Sequence, residues 1–301
     1  MTLTLKAHGY TLALAPDHGG SVTRLSRNNV DILRRSPEGE PDPVELSAFP
    51  MVPFSGRIDR GRFAWEGTTH TLPANFPPEP HSIHGFGWQS RWDVVEVSES
   101  SSTLQYEYRG KSWPWWFDAA QVFSLHPWGL QLVMTIQNRS QTSMPTGLGW
   151  HPYFPSSGAV IQCVTESIIE NGADMIPLRR VPVSAGNDLR HPRPIEALEL
   201  DNAYGVAAAG AECLPQQPED RRHVLTWPDR TVTLQCSPAL STVVVYSPPG
   251  QGFFCVEPAS HPPDAINTEP HSLHRLAPGE SLQVRIALAV TERDAAAQST
   301  A

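Results

Sequence analysis

The stretch Gln121-Val122-Phe123-Ser124-Leu125-His126-Pro127-Trp128-Gly129-Leu130-Gln131-Leu132-Val133-Met134-Thr135-Ile136-Gln137 contains two runs in which apolar residues recur at every second position, joined by a short link. Successive side chains of a strand point to opposite faces, so this period marks strands with one face buried. In the link His126-Pro127-Trp128-Gly129, proline presets φ and glycine accepts positive φ, which predicts an antiparallel hairpin. The same alternation recurs over Tyr10 to Leu14, Trp92 to Val97, Thr103 to Tyr108, Thr231 to Cys236, Thr242 to Tyr246, Phe253 to Glu257 and Ser281 to Val290. Each run is bounded by Gly, Pro, Asn or Ser, which end strands. Only Ile195 to Leu200 offers a turn or two of helix. The chain is predicted to be all-β, built from short strands in antiparallel meanders.

Composition agrees. Thirty prolines and 21 glycines make about 17% of the 301 residues, too many for a coiled coil or helical solenoid and too few for a low-complexity chain. With 40% apolar and 18% charged residues, the chain has material for a sizeable core and too little charge for disorder. The net charge is −9 and the charges are scattered, so neither nucleic acid nor a membrane is an expected partner. Cys163, Cys213, Cys236 and Cys255 form no C-x-x-C pair and no zinc spacing. They read as reduced core thiols of a cytoplasmic protein. The first ten residues alternate where a signal peptide needs an unbroken apolar stretch, and no run approaches the ~18 apolar residues of a membrane helix. No linker or repeat divides the chain, so a single domain over residues 1–301 is expected, with Asp294 to Ala301 as a frayed polar tail. Pro73 to Pro80 could pass for a boundary. Phe76 within it and the histidines just beyond it make it an active-site loop instead.

Four segments set titratable residues among glycine, proline and aromatics. In Phe49-Pro50-Met51-Val52-Pro53-Phe54-Ser55-Gly56-Arg57-Ile58, Arg57 offers five fixed donors to ligand oxygens, or else serves a structural salt bridge. His81-Ser82-Ile83-His84-Gly85-Phe86-Gly87-Trp88 and Gly149-Trp150-His151-Pro152-Tyr153-Phe154-Pro155 present imidazoles on turns beside aromatic surfaces that suit the C–H faces of a sugar. His81 and His84 also form H-x-x-H, but on an extended chain i and i+3 point to opposite faces and no acidic ligand is near, so no metal is expected. In Cys255-Val256-Glu257-Pro258-Ala259-Ser260-His261-Pro262-Pro263-Asp264, Glu257 closes an apolar run before proline. A carboxylate at a strand end is placed to act as a general base, and partial burial would strengthen it.

Together, in this order and from about Gly19 to Val290, these segments resemble the aldose 1-epimerase (galactose mutarotase) family, in particular its mutarotase-like bacterial branch. The resemblance implies a single large antiparallel β-supersandwich with very little helix, an open cleft across one sheet, and interconversion of the α and β anomers of a free sugar. It implies His151 as general acid, Glu257 as general base, and His84 as a second histidine at the ring oxygen or a neighbouring hydroxyl. Arg57 matches the substrate-orienting arginine, and Asp201, in Leu200-Asp201-Asn202-Ala203-Tyr204, matches an aspartate holding sugar hydroxyls. His81, Trp88 and Trp150 join the substrate-binding set. Two positions depart from the family: Gly56 stands where asparagine usually precedes the arginine, and Val206 where relatives often have an aromatic. Both bear on which sugar is bound.

Ring opening needs a proton to leave the C1 hydroxyl while another reaches the ring oxygen. Glu257 and His151 are expected to do this in concert, the open aldehyde rotating about C1–C2 before it recloses, with no cofactor. This requires Glu257 ionised and His151 charged. The alternatives are a hexose-phosphate 1-epimerase, with Arg57, Arg60 and Arg62 as its cations, and a non-catalytic sugar-binding or sugar-sensing protein. A glycosidase needs two carboxylates, and Glu257 is the single strong candidate. The sequence leaves a monomer and a dimer equally open.

Overall fold

A computed structural model of the chain describes residues 2–39, 42–206 and 220–293. The chain is all-β, and every predicted alternating run falls on a strand, with Trp92 alone one residue ahead of its strand Asp93–Val97. Two large antiparallel sheets carry the fold. The first has nine strands in the order Asp93–Val97, Ser101–Tyr108, Phe117–His126, Gly129–Asn138, Ser281–Glu292, Arg230–Cys236, Arg221–Thr226, Val160–Cys163 and Arg193–Pro194. The second has eleven: Leu3–Ala7, Tyr10–Ala15, Ser21–Arg27, Ala48–Met51, Gly149–Pro155, Phe253–Ala259, Thr242–Ser247, Leu200–Val206, Thr165–Asn171 and Pro177–Pro182, with Val30–Asp31 added beside Ser21–Arg27.

The predicted hairpin forms with His126 opposite Gly129 across Pro127 and Trp128. Gly129 has φ of 147°, and a Cβ there would lie 1.9 Å from the Leu288 carbonyl oxygen. The strand Ser281–Glu292 therefore approaches this turn closely enough to demand glycine. Leu130, Leu132, Met134 and Ile136 point into a core shared with Leu14, Trp150, Phe154, Val243, Phe254 and Val256 of the eleven-stranded sheet. Period-two burial from both sheets thus fills one apolar layer.

Two local expectations are corrected. Ile195 to Leu200 makes only a 3₁₀ turn over Ile195–Ala197 before Leu200 enters a strand, and the one α-helical turn among the described residues, Ala265–Thr268, follows Asp264 instead. His151 does not sit on a turn, nor Glu257 at a strand end: both lie inside the neighbouring strands Gly149–Pro155 and Phe253–Ala259. Gly149–Pro155 is covered on both faces, which erases alternation, and its prolines read as breakers. Gly149 pairs with Ala259 and Tyr153 with Cys255 in one register, while Trp150, His151 and Pro152 make no ladder pair with that neighbour. Pro152 and Pro258 supply no N–H there, so the ladder opens where His151 and Glu257 face each other.

Cys163, Cys236 and Cys255 are buried free thiols; Cys213 and Asp294 to Ala301 lie outside the described residues. Among the described residues no helix is long and apolar enough to cross a membrane.

Candidate active site

On the face of the eleven-stranded sheet turned away from the inter-sheet core lies a cavity of about 320 Å³, at the small end of the ~300–1,000 Å³ of ligand pockets. Its floor is a second apolar cluster of Phe49, Met51, Ile83, Trp88, Tyr153 and Cys255. Arg57, His84, His151, Asp201 and Glu257 bring the polar groups.

His151 lies flat between two aromatic rings, its centroid 4.4 Å from Phe49 and 4.7 Å from Tyr153. Its Nε2 is 3.2 Å from Oε1 of Glu257, and its Nδ1 is buried without a hydrogen-bond partner. Burial pushes the Glu257 carboxyl well above its usual range, with Asp201 adding to the rise and Arg57 opposing it. Burial pushes the His151 imidazolium down to about 3, and the Arg34 charge acts in the same sense. Burial therefore favours neutral imidazole and protonated carboxyl in this pair over the ion pair expected from sequence. In either form the acid/base scheme needs a single proton shared across the contact.

The second histidine stands on a turn, as expected. His84 has φ of 57° and Gly85 has φ of 70°, and a Cβ on Gly85 would come within 2.1 Å of the Val52 carbonyl oxygen. The backbone N–H of Gly56 donates to His84 Nδ1 at 3.2 Å. That bond assigns the ring proton to Nε2. Burial, then the neighbouring His151 and Arg57, hold His84 well below the usual histidine range, so it is a neutral donor. Gly56 itself has φ of 65°, and Pro263 fills the space a side chain would need, 2.9 Å from a built Cβ. Pro263 itself lines the cavity, so the space beside Gly56 is already taken.

Arg57 serves both readings at once: it lines the cavity, and its Nε donates to Glu79 Oε1 at 3.2 Å. Glu79 belongs to the proline-rich loop, whose Phe76 lines the cavity and whose Asn75 clamps the backbone of Ile83 and Gly85. His81 does not reach the cavity. Its Nδ1 accepts from the Arg60 backbone N–H at 2.9 Å, and its Nε2 lies 3.7 Å from Glu79. Trp88 reaches the cavity wall and packs on Phe49 at 5.4 Å. Trp150 points the other way, into the inter-sheet core, because its neighbour His151 takes the cavity face. Asp201 lines the cavity beside Tyr246, and burial raises its carboxyl. Val206 lies in the inter-sheet core.

A family model described as aldose 1-epimerase matches residues 1–289. The chain belongs to the aldose 1-epimerase family. The uncharacterized protein YphB of Escherichia coli K12 is 30% identical, over 96% of this chain and 99% of its own. A solved Escherichia coli K12 structure superposes with a TM-score of 0.86 at 25% identity, covering 97% of this chain and 99% of that one. A galactose mutarotase-like protein of Clostridium acetobutylicum shares the fold, with a TM-score of 0.83 at 17% identity over 97% of this chain and 95% of its own.

Within this aldose 1-epimerase cavity, sequence reading missed Phe49, Tyr153, Tyr246, Phe253 and Met175, which line it, and Glu79, which holds Arg57. Arg34 was missed as well: its guanidinium lies 3.9 Å over the Tyr153 ring and donates to the carbonyls of Val44 and Leu46. Only the alternation of Tyr246 within Thr242 to Tyr246 and the aromatics flanking His151 were signals available in the sequence.

Proposed function

We propose that this protein is a mutarotase, interconverting the α and β anomers of a free neutral aldose by acid/base ring opening and reclosure. The observation that carries this reading is the 3.2 Å contact of Glu257 with His151 Nε2 on the cavity floor. Each pKa shift strengthens its group for the assigned step: a raised carboxyl is a stronger base for the O1 proton, and a depressed imidazolium a stronger acid toward the ring oxygen. With the shared proton on His151, transfer of O1–H to Glu257 and of Nε2–H to O5 leaves the open aldehyde beside a neutral pair. That is the pair burial favours. Rotation about C1–C2 and the reverse transfers close the other anomer. Neutral His84 donates from Nε2 to the ring oxygen or an adjacent hydroxyl, and Arg57 and Asp201 orient the remaining hydroxyls. One domain over residues 1–301 and a cytoplasmic setting belong to the same proposal.

Charge favours a neutral sugar over a phosphate ester. Arg60 and Arg62 are exposed and do not line the cavity, and Arg57 is already paired with Glu79. Asp201, which also lines the cavity, would repel an anion. Time-resolved polarimetry should show accelerated equilibration of a fresh neutral α-aldose and none of glucose 6-phosphate; the reverse preference would reject this reading.

Glu79→Gln is expected to raise KM about tenfold with kcat nearly unchanged, because freeing Arg57 weakens an interaction made equally in ground and transition states. An equal fall in kcat and kcat/KM would place Arg57 in the transition state instead.

A further inference from the structure

We infer that His151, Cys255 and Glu257 form a site for a thiophilic divalent cation, best matched by Zn²⁺, and that its occupation blocks the proton-transfer pair. One ligand atom from each residue lies within 4.8 Å of the others, and all three side chains are buried. The topology explains the juxtaposition. Cys255 and Glu257 are two apart on one strand and so share a face, and His151 occupies the same face of the neighbouring strand.

The donor set selects the metal. Thiolate, imidazole and carboxylate together suit zinc, whereas magnesium and calcium call for six or more oxygens. Tetrahedral zinc with bonds of about 2.0–2.3 Å holds its ligand atoms about 3.2–3.8 Å apart. Side-chain shifts of about 1 Å would therefore close the set. His151 and Glu257 line the cavity, so an ion could enter from it and keep a fourth position facing it, the open arrangement of three protein ligands plus water or substrate. Neither ring nitrogen of His151 is committed elsewhere: Nε2 meets only Glu257, and Nδ1 has no partner among the described residues. Cys255 has no part in the acid/base scheme, yet its sulfur sits beside both groups that do. Binding as thiolate, neutral imidazole and carboxylate releases the thiol proton and the proton shared by His151 and Glu257. An occupied site would then hold neither acid nor base for the sugar.

The binding claim stands alone; the block on activity rests on the proposed mutarotation. Titration of the metal-free protein with Zn²⁺ in a calorimeter, and with Co²⁺ as a coloured substitute, tests both. One Zn²⁺ per chain is expected, with a thiolate-to-cobalt charge-transfer absorption, and affinity should weaken at least about tenfold in both Cys255→Ser and Cys255→Ala. Zn²⁺ should abolish anomer exchange and a chelator should restore it. Unchanged Zn²⁺ affinity in the Cys255 variants, or a Co²⁺ spectrum without thiolate absorption, would overturn the site. Full exchange with one Zn²⁺ bound would overturn the block. A metal-free protein without exchange would count against the mutarotase reading alone, since the cobalt spectrum reports the site independently.

Discussion

Glu257→Gln is expected to lower kcat for anomer exchange by about 10²–10⁴-fold, with sugar affinity little changed. The amide keeps the volume of the carboxyl and an oxygen within reach of His151, but it cannot take the O1 proton. Because Glu257 is almost fully buried, no rescue from solvent is expected. The pH profile of the unmodified protein is expected to carry the same signature. Catalysis needs one proton on the pair. Falling pH adds a second as it passes the depressed His151 value of about 3, leaving no base; rising pH removes the first as it passes the raised Glu257 value, leaving no acid. The acid limb of kcat should therefore lie below the ordinary carboxylate value of 4.5, with circular dichroism confirming that the fold persists. A limb between pH 5 and 7 would mean that a histidine near its ordinary value governs the step.

Trp150→Ala is expected to cost about 3–5 kcal/mol of stability, read as a lower denaturation midpoint at unchanged slope. The indole is 1% exposed and packed in the core between the two sheets. Its loss leaves a cavity lined by residues of both sheets, which cannot close around it without shifting strands. Trp150→Phe should recover much of that loss. Were Trp150 a sugar-binding surface, alanine would raise KM and leave the midpoint near its starting value.

The sheets were legible because most strands bury one face and so alternate. Leu130 to Ile136 and Ser281 to Val290 announce themselves in this way, and the turn at Pro127 to Gly129 followed from proline and glycine chemistry. The strand that carries His151 was not legible. Gly149–Pro155 is buried on both faces and carries two prolines, so it read as a loop around His151. Alternation within it also decides which side each aromatic takes, and that parity sends Trp150 to the core and His151 to the cavity. His81 was drawn toward the sugar by its place next to the His84 segment, whereas its ring serves the Arg60 backbone and the Glu79 carboxylate. Glu79 itself, among four prolines, gave no sign that Arg57 would fold against it; such a partner arises from tertiary approach across 22 positions of chain. The neutral preference of the pair is likewise a property of burial, which residue identity alone does not disclose.

The central claim is that this cavity exchanges anomers through Glu257 and His151. Saturation-transfer NMR on a panel of neutral hexoses and pentoses at equilibrium tests it most directly, since irradiating one anomeric proton reads exchange without a coupled assay. The account predicts that catalytic amounts of the protein transfer saturation between α and β signals of at least one aldose well above the spontaneous rate, and that Glu257→Gln does not. Sugar binding without accelerated transfer, or equal transfer by the Glu257→Gln protein, would contradict it.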